Sequence, residues 1–315
     1  MEEWPEVNTR TLANKIYKEH PRHFTDLENA RGRVRYFRGQ SGDKNRLLNP
    51  DKSLFKRGTL NPFKLPKSYA KKRKPVELQG TNFLLLYDIH IPYHDIEAIE
   101  VAINEGLKQE CDTVFLGGDI MDCHLISHFI KEPEARKFQE ELDATRQFLS
   151  YIRSKFPQAK IYFKEGNHEA RFWKYMRVKA PELLDVRAFS MQELLGLGER
   201  DIEWVHGNTK ANIGKLSLFH GHEVGKSVFS PVNVARGLYL KTKASSICGH
   251  SHQTSEHTER DVNDKIVTCW SIGCLSELSP EYAPYNRFNH GFGIVKKNAG
   301  DFHVQNFRIY NGRLL

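Results

Sequence analysis

The chain has 315 residues, 39% of them hydrophobic, a length that suits two domains, one of them small, with a sizeable core. Its longest apolar runs are strand-sized, which excludes a bilayer-spanning helix, and the acidic first five residues lack the apolar segment of a secretory signal. The formal net charge of +8 is unevenly placed: residues 1–80 hold 19 Lys and Arg against 9 Asp and Glu, a net of +10, while residues 81–315 hold 28 against 30, a net of −2.

Residues 9–20 are predicted as a short helix, because Leu12 pairs with Ile16 and Ala13 with Tyr17 at i,i+4 and Pro21 follows. Thr25-Asp26-Leu27-Glu28 fits a capping box with Thr25 as N-cap. The helix it opens runs to about Phe37, and Gly39 can close it. Leu27, Ala30, Val34 and Phe37 form its apolar stripe, and Arg31, Arg35 and Arg38 lie at i, i+4 and i+7 beside it. Two readings stand for residues 1–40: a small helical DNA-binding module, or a helical hairpin docked on the main domain with a solvated arginine face. Residues 41–80 read as a basic linker, rich in Gly, Pro and Asn and without periodicity. The run Lys71-Lys72-Arg73-Lys74 within it is a candidate grip on phosphates, an address signal or a solvated charge run. The charge asymmetry points to an anionic partner for this part, nucleic acid first.

From 81 to 315 the pattern alternates: strand 83–87, helix 95–109, strand 113–116, helix 134–154, strand 159–163. Segments 170–179 and 188–196 look helical, and 203–206, 210–213 and 216–219 look like strands. A helix at 232–242 and a strand at 246–248 follow, then strands 266–272, 293–297 and 303–310, the last two joined by a hairpin turn at Asn298-Ala299-Gly300-Asp301. An early βαβ run followed by late strands predicts two packed sheets with helices outside.

Five of these strands end in oxygen or imidazole donors. Strand 113–116 runs through Gly117-Gly118 into Asp119, with Asp122 three residues on. The others run into Asp88-Ile89-His90, Asn167-His168-Glu169, His220-Gly221-His222 and Gly249-His250-Ser251-His252. The carboxyl ends of strands are where α/β folds build sites. Asp, His and Asn donors favour divalent Mn, Fe, Zn or Ni, with manganese foremost. The five cysteines have no close Cys-x-x-Cys pair and read as buried free thiols in a reducing compartment, the cytoplasm. Two carboxylates, an Asn and at least four histidines suffice for two metals sharing a bridge, an arrangement that clamps both oxygens of an in-line displacement at phosphorus. Two divalent ions bring +4, and Asp88, Asp119 and a bridging hydroxide bring −3, which leaves charge to attract a phosphate.

These residues resemble the calcineurin-like metallophosphoesterases, whose pattern is DxH, GD, GNH[DE], H and GHxH. All five stand in order over residues 88–252, as Asp88-Ile89-His90, Gly118-Asp119, Gly166-Asn167-His168-Glu169, His220 and Gly249-His250-Ser251-His252. The resemblance implies a four-layer α/β/β/α sandwich of two mixed sheets, here preceded by the small helical N-terminal module. It implies Asp88, His90 and His252 on one metal, Asn167, His220 and His250 on the other, and Asp119 bridging. It implies that His168 is the proton donor to the leaving oxygen rather than a ligand. His220 and His222 compete for one position; His220 directly ends its strand and is preferred, leaving His222 as a substrate-side group. Asp122 resembles the acid that orients the GNH histidine and is paired with His168. Arg171 either contacts a phosphate or forms a surface ion pair with Glu169. His94 and His124 are expected as exposed loop histidines, and residues 286–290, with Tyr282 and Tyr285, as a loop at the mouth of the site. The Arg-Gly pair of protein serine/threonine phosphatases is missing after Asp122, which argues against a phosphoprotein substrate.

The expected function is a soluble dinuclear-metal phosphodiesterase that attacks its substrate with a metal-bridging hydroxide, the substrate being nucleic acid held by the basic N-terminal part. The alternatives are a phosphatase or pyrophosphohydrolase on nucleotides or other small phosphates, and a nucleic-acid-binding protein with a vestigial site. The complete donor set counts against the last.

Overall fold

The computed structural model describes residues 4, 7–48, 65–66, 68–70, 73–128, 137–225, 232–280 and 283–315, with only the backbone at 46. The chain divides into two compact units, residues 1–71 and 72–315.

In the first unit, α1 (Thr9–Glu19) and α2 (Leu27–Phe37) pack through Leu12, Ala13 and Val34, and α3 (Asp43–Leu48) follows. The Asn8 side chain caps α1 by accepting from the Thr11 N–H. The cap of α2 is Asp26, not Thr25: the Asp26 carboxylate accepts from Asn29 N–H at 2.7 Å, one residue later than the capping box requires. Ala30 and Val34 are buried, but Leu27 and Phe37 at the ends of the expected stripe are exposed. The Arg face is partly committed within the unit. Arg31 pairs with Glu28 at 3.2 Å, and Arg38 donates to Thr9 Oγ1 at 3.2 Å and to the Trp4 carbonyl at 3.5 Å, tying α2 to the chain before it. Arg35 is exposed. Lys71 and Lys72 lie outside the described residues; Arg73 belongs to the second unit, where its Nη2 lies 3.2 Å from His206 Nε2.

The second unit opens with β1 (Val76–Glu77), inside the stretch expected as linker. Then come β2 (Asn82–Leu86), α4 (Ile96–Lys108), β3 (Thr113–Leu116), α5 (Phe138–Lys155), β4 (Lys160–Lys164), α6 (Ala170–Lys179), α7 (Met191–Leu194) and β5 (Ile202–Val205). They are followed by β6 (Ala211–Ile213), β7 (Leu216–Leu218), α8 (Val234–Thr242), β8 (Ser246–Cys248), β9 (Ser255–Arg260), β10 (Ile266–Ser271), β11 (His290–Asn298), β12 (Asp301–Tyr310) and β13 (Arg313–Leu314). The start expected for α5, 134–136, lies outside the described residues. Segment 188–196 holds only a 3-10 turn and the one-turn α7.

One sheet has the order β13-β12-β11-β2-β3-β4-β5, the other β1-β6-β7-β8-β10-β9. Both are mixed: β2 to β5 run parallel while β11 to β13 are antiparallel, and β7, β8 and β10 run parallel while β6 is antiparallel to β7 and parallel to β1, and β9 is antiparallel to β10. The strand period of two sorts the apolar residues into separate cores. Leu84, Leu86, Val114, Leu116, Ile161 and Phe163 face α4, α5 and α6. Phe83, Leu85, Phe115 and Tyr162 face the second sheet, against Ala211, Leu218 and Ile247. The far side of that sheet packs Cys248 and Cys269 under Ala235 and Leu238 of α8. The layers are therefore helix, sheet, sheet, helix, a four-layer sandwich. Burial on both faces explains why these strands read as continuous apolar runs. Strand β9 went unseen in the sequence because Ser-Glu-His-Thr-Glu-Arg is polar throughout; as an edge strand it alternates half-buried and exposed positions.

Candidate metal centre

The parallel strands end abreast: Leu86 pairs with Leu116, and Leu116 with Phe163. In the second sheet Leu218 lies beside Ile247. The loops after β2, β3, β4, β7 and β8 are thereby brought together, and backbone bonds stitch them: Asp88 N–H to Gly118 O, His90 N–H to Asp119 O, and Gly249 N–H to His220 O. Asp88, His90, Asp119, His250 and His252 all have positive φ, between 51° and 67°. That conformation costs a residue with a Cβ roughly 1–2 kcal/mol, so the surrounding bonds must hold it, and such strain gathers at functional sites. Gly118, at φ 104°, has no room for a side chain, since a Cβ there would lie 2.6 Å from His220 Nδ1. A Cβ on Gly166 would collide with the Asp119 carboxylate and backbone.

The donors fall into two groups, Asp88 with His90 and His252, all buried, and Asp119 with His220 and His250, of which His250 is exposed; His90, Asp122 and His168 converge as a third. The first two bring together residues that the motif resemblance implied for one metal each; the third combines a ligand histidine with the two residues expected to serve as the acid and its partner. Asn167 Oδ1 lies 3.2 Å from His220 Nε2 and so joins the second group. Asp119 Oδ2 stands between the first two, 3.2 Å from His220 Nε2 and 3.9 Å from His90 Nε2. Two features fit cations here. The buried Asp88 Oδ1 has no hydrogen-bond partner among the described residues, and the His90 and His252 Nε2 atoms face one another at 3.1 Å, 3.8 and 3.5 Å from that oxygen. A carboxylate oxygen and two imidazole lone pairs converging in this way form a divalent-metal donor set.

Asp122 does more than the sequence suggested. Its Oδ1 lies 3.0 Å from His90 Nδ1 and 3.1 Å from His168 Nδ1, so one carboxylate orients both rings and leaves each Nε2 pointing inward. His168 Nδ1 also lies 2.8 Å from the Asp122 carbonyl, its Nε2 is 3.6 Å from Asp119 Oδ2, and Arg171 Nη2 sits 2.9 Å from that Nε2. The surface pair between Arg171 and Glu169 is not formed. Glu169 is fully buried and its carboxylate accepts from the N–H groups of Asp119, Ile120, Met121 and Gly166. Burial and the Asp119 charge push its carboxyl up to about 7.

Sequence reasoning also missed Glu223. Its carboxylate accepts from His220 N–H at 3.0 Å and Gly221 N–H at 2.8 Å, and pairs with the fully buried Lys164 ammonium at 3.1 Å. Its position three residues after His220 was the available signal. His222 lies outside these donor groups, half-buried, and lines a cleft of about 780 Å³ together with Asn167, Arg171 and His250. Phe288 packs against the His252 ring at 4.5 Å and Asn289 N–H donates to the His252 carbonyl, which sets loop 286–290 beside the site; Tyr285 is exposed and Tyr282 lies outside the described residues. His94 and His124 are half-buried rather than exposed, because His94 bridges to Ser276 and His124 opens a 3-10 turn.

The electrostatics set a pH dependence. Burial resists charging Asp88, but His252, His90 and His220 outweigh it and hold the carboxyl well below its usual range. Burial pushes His220 down, yet Asp119, Asp88 and Glu223 raise it to about 9; burial pushes His252 down, yet Asp88 raises it to about 9. A metal takes neutral imidazole, so it must displace these protons. Chelator-treated protein titrated with Mn²⁺ at pH 7.5 is expected to release protons from His90, His220 and His252, all raised above the ordinary histidine value, read by calorimetry in two buffers of different ionisation enthalpy. Apparent affinity should climb with pH and level off above about 9. The sign for folding is opposite: in chelated protein the histidine–carboxylate pairs stabilise fully below the ordinary histidine value of 6.5, and lose that contribution as pH rises through about 9. Metal uptake without proton release would contradict this donor set.

A family model described as calcineurin-like phosphoesterase matches residues 82–254. No curated relative matches the chain. Solved structures of similar fold include vacuolar protein sorting 29 from Cryptosporidium parvum, at 13% identity over 75% of this chain and 95% of that chain, TM-score 0.41. They also include Yfce, a phosphoesterase from E. coli, at 14% identity over 68% and 87%, TM-score 0.33, and a dimetal phosphatase from Danio rerio, at 14% over 75% and 96%, TM-score 0.36.

Proposed function

The chain belongs to the calcineurin-like phosphoesterase family, and from that premise we propose that it is a dinuclear-metal phosphodiesterase acting on nucleic acid. The observation that carries the reading is the pair of donor groups placed around one carboxylate oxygen, Asp119 Oδ2. Asp88, His90 and His252 would hold one ion and Asn167, His220 and His250 the other, with Asp119 shared. Two divalent ions there, manganese in this reading, would acidify water and neutralise charge on the phosphate. His168 supplies a proton to the leaving oxygen at Nε2, and Asp122 holds the ring in that direction. Arg171 turns from Nε2 to a phosphate oxygen when substrate arrives, which frees the nitrogen. His222 lies on the substrate side. The five buried free cysteines support a cytoplasmic setting. Among the described residues no helix is long and apolar enough to cross a membrane.

Nucleic acid is favoured by the net of +10 in residues 1–80, including Arg31, Arg35 and the run from Lys71 to Lys74. The commitment of Arg38 to Thr9 and Trp4 makes it the weakest member of that set. A second reading, hydrolysis of nucleotides or other small phosphates, is supported by the cleft, whose 780 Å³ suits a nucleotide. The experiment compares the full chain with one lacking residues 1–72. Both are expected to hydrolyse a chromogenic phosphodiester with Mn²⁺, because every proposed metal donor is retained. The shorter chain should bind DNA and RNA more weakly, with a flatter salt dependence, each lost duplex contact removing a log–log slope of about 0.9. Equal affinity and an equal slope for the two chains would assign the basic segment another role and favour the small-phosphate reading.

A further inference from the structure

We propose that the cleft between α6 and α8 is a second phosphate subsite, holding a phosphate of the substrate next to the one being cleaved, with Lys174 and Lys241 as the residues that bind it. The inference rests on the phosphodiesterase reading and adds a specificity determinant to it. One end of the cleft is formed by Asn167 and His250, so it opens directly from the metal centre. Its walls are two helix faces. Arg171 and Lys174 stand at i and i+3 on α6, on one face about 5–6 Å apart at Cβ. Val234, Gly237, Leu238 and Lys241 stand at i, i+3, i+4 and i+7 on α8, again one face.

The two helices come from opposite outer layers of the sandwich. Phe172 and Met176 anchor α6 in the core of the seven-stranded sheet, and Ala235 anchors α8 on the six-stranded one. The cleft therefore crosses the end of the sandwich where the donor-bearing loops emerge. Arg171, Lys174 and Lys241 line it. If Arg171 serves the phosphate under attack, Lys174 and Lys241 carry positive charge beyond it, where a single isolated phosphodiester has nothing to offer. Val224 and Val234 supply apolar surface for the sugar or base between two phosphates.

The test uses the full chain loaded with Mn²⁺ and compares a thymidine dinucleotide with the same dinucleotide carrying a terminal phosphate at either end. The terminal phosphate should raise kcat/KM and binding affinity by roughly tenfold, and K174A and K241A should each remove up to about fivefold of that gain, as expected for exposed charge pairs. Both variants should turn over bis(4-nitrophenyl) phosphate, which has no second phosphate, at the wild-type rate. A terminal phosphate that brings no advantage, or lysine variants that weaken both dinucleotides equally, overturns the subsite. Tighter binding of ADP than of the phosphorylated dinucleotide, lost in the same variants, supports the subsite and identifies an anhydride-linked phosphate as its source. If wild-type protein hydrolyses none of these esters with any divalent metal, the phosphodiesterase reading fails on its own. The subsite is then judged by equilibrium binding of the two dinucleotides in wild type and variants.

Discussion

Asp119→Asn is expected to lose metal from both donor groups at once, and hydrolysis with it. The Asp119 Oδ2 atom lies 3.2 Å from His220 Nε2 in one group and 3.9 Å from His90 Nε2 in the other, so a single carboxylate charge serves both. Asparagine keeps the shape and can still accept the His168 N–H at Oδ1, a bond of 2.9 Å in the native chain. The substitution therefore removes charge with little change of backbone support. Residues that only orient metal ligands cost about 10–100-fold in metal affinity when lost. A shared ligand should cost more than roughly 100-fold at each position. Elemental analysis after gel filtration, alongside turnover of a chromogenic phosphodiester with and without chelator, reads both effects. Activity that survives chelation in the native protein, or a variant that keeps two equivalents of metal, would refute the bimetal reading.

His168→Ala should separate chemistry from metal binding. His168 converges with His90 and Asp122 in a third group of donors, but its Nδ1 is engaged by the Asp122 carboxylate and carbonyl, and the proposed reading makes the ring an oriented acid rather than a ligand. The variant is expected to hold its metal and to lose roughly 10²–10⁴-fold in rate, the range for removal of a general acid. The loss should shrink for a 4-nitrophenolate leaving group, which needs little protonation. It should be largest for an alkoxide such as a nucleoside hydroxyl. Asp122→Asn provides the contrast, since that carboxylate holds both His168 and His90. It should lower the rate and weaken metal binding together. If His168→Ala loses metal as His250→Ala does, His168 is a ligand and its proposed role is wrong.

The sequence by itself determined the order of strands and the donors that end them. Residues 113–116 were legible as a strand to the residue, and 170–179 as a helix, because both are local patterns of apolar and turn residues. The motifs were legible for the same reason, since each places its donors within four residues of a strand end. The two-residue turn at Ala299-Gly300, both with positive φ, was equally local. What failed locally was polar or short: β9 carries no apolar alternation, and β1 is two residues that pair with β6.

Only the tertiary structure decided the partners of the buried charges. Asp122 binds one imidazole 32 residues before it and another 46 after it. Glu169 turns inward to four backbone N–H groups, three of them nearly 50 residues away, where sequence allowed a surface ion pair. Lys164 at the end of β4 and Glu223 in the turn after β7 come from different sheets and meet behind His220. The wall of cations between α6 and α8 exists only because the two sheets stack face to face and bring their outer helices to one end. Periodicity reports which face of an element is buried. It carries no record of what lies against that face, because the pairing is set by how the layers close on one another.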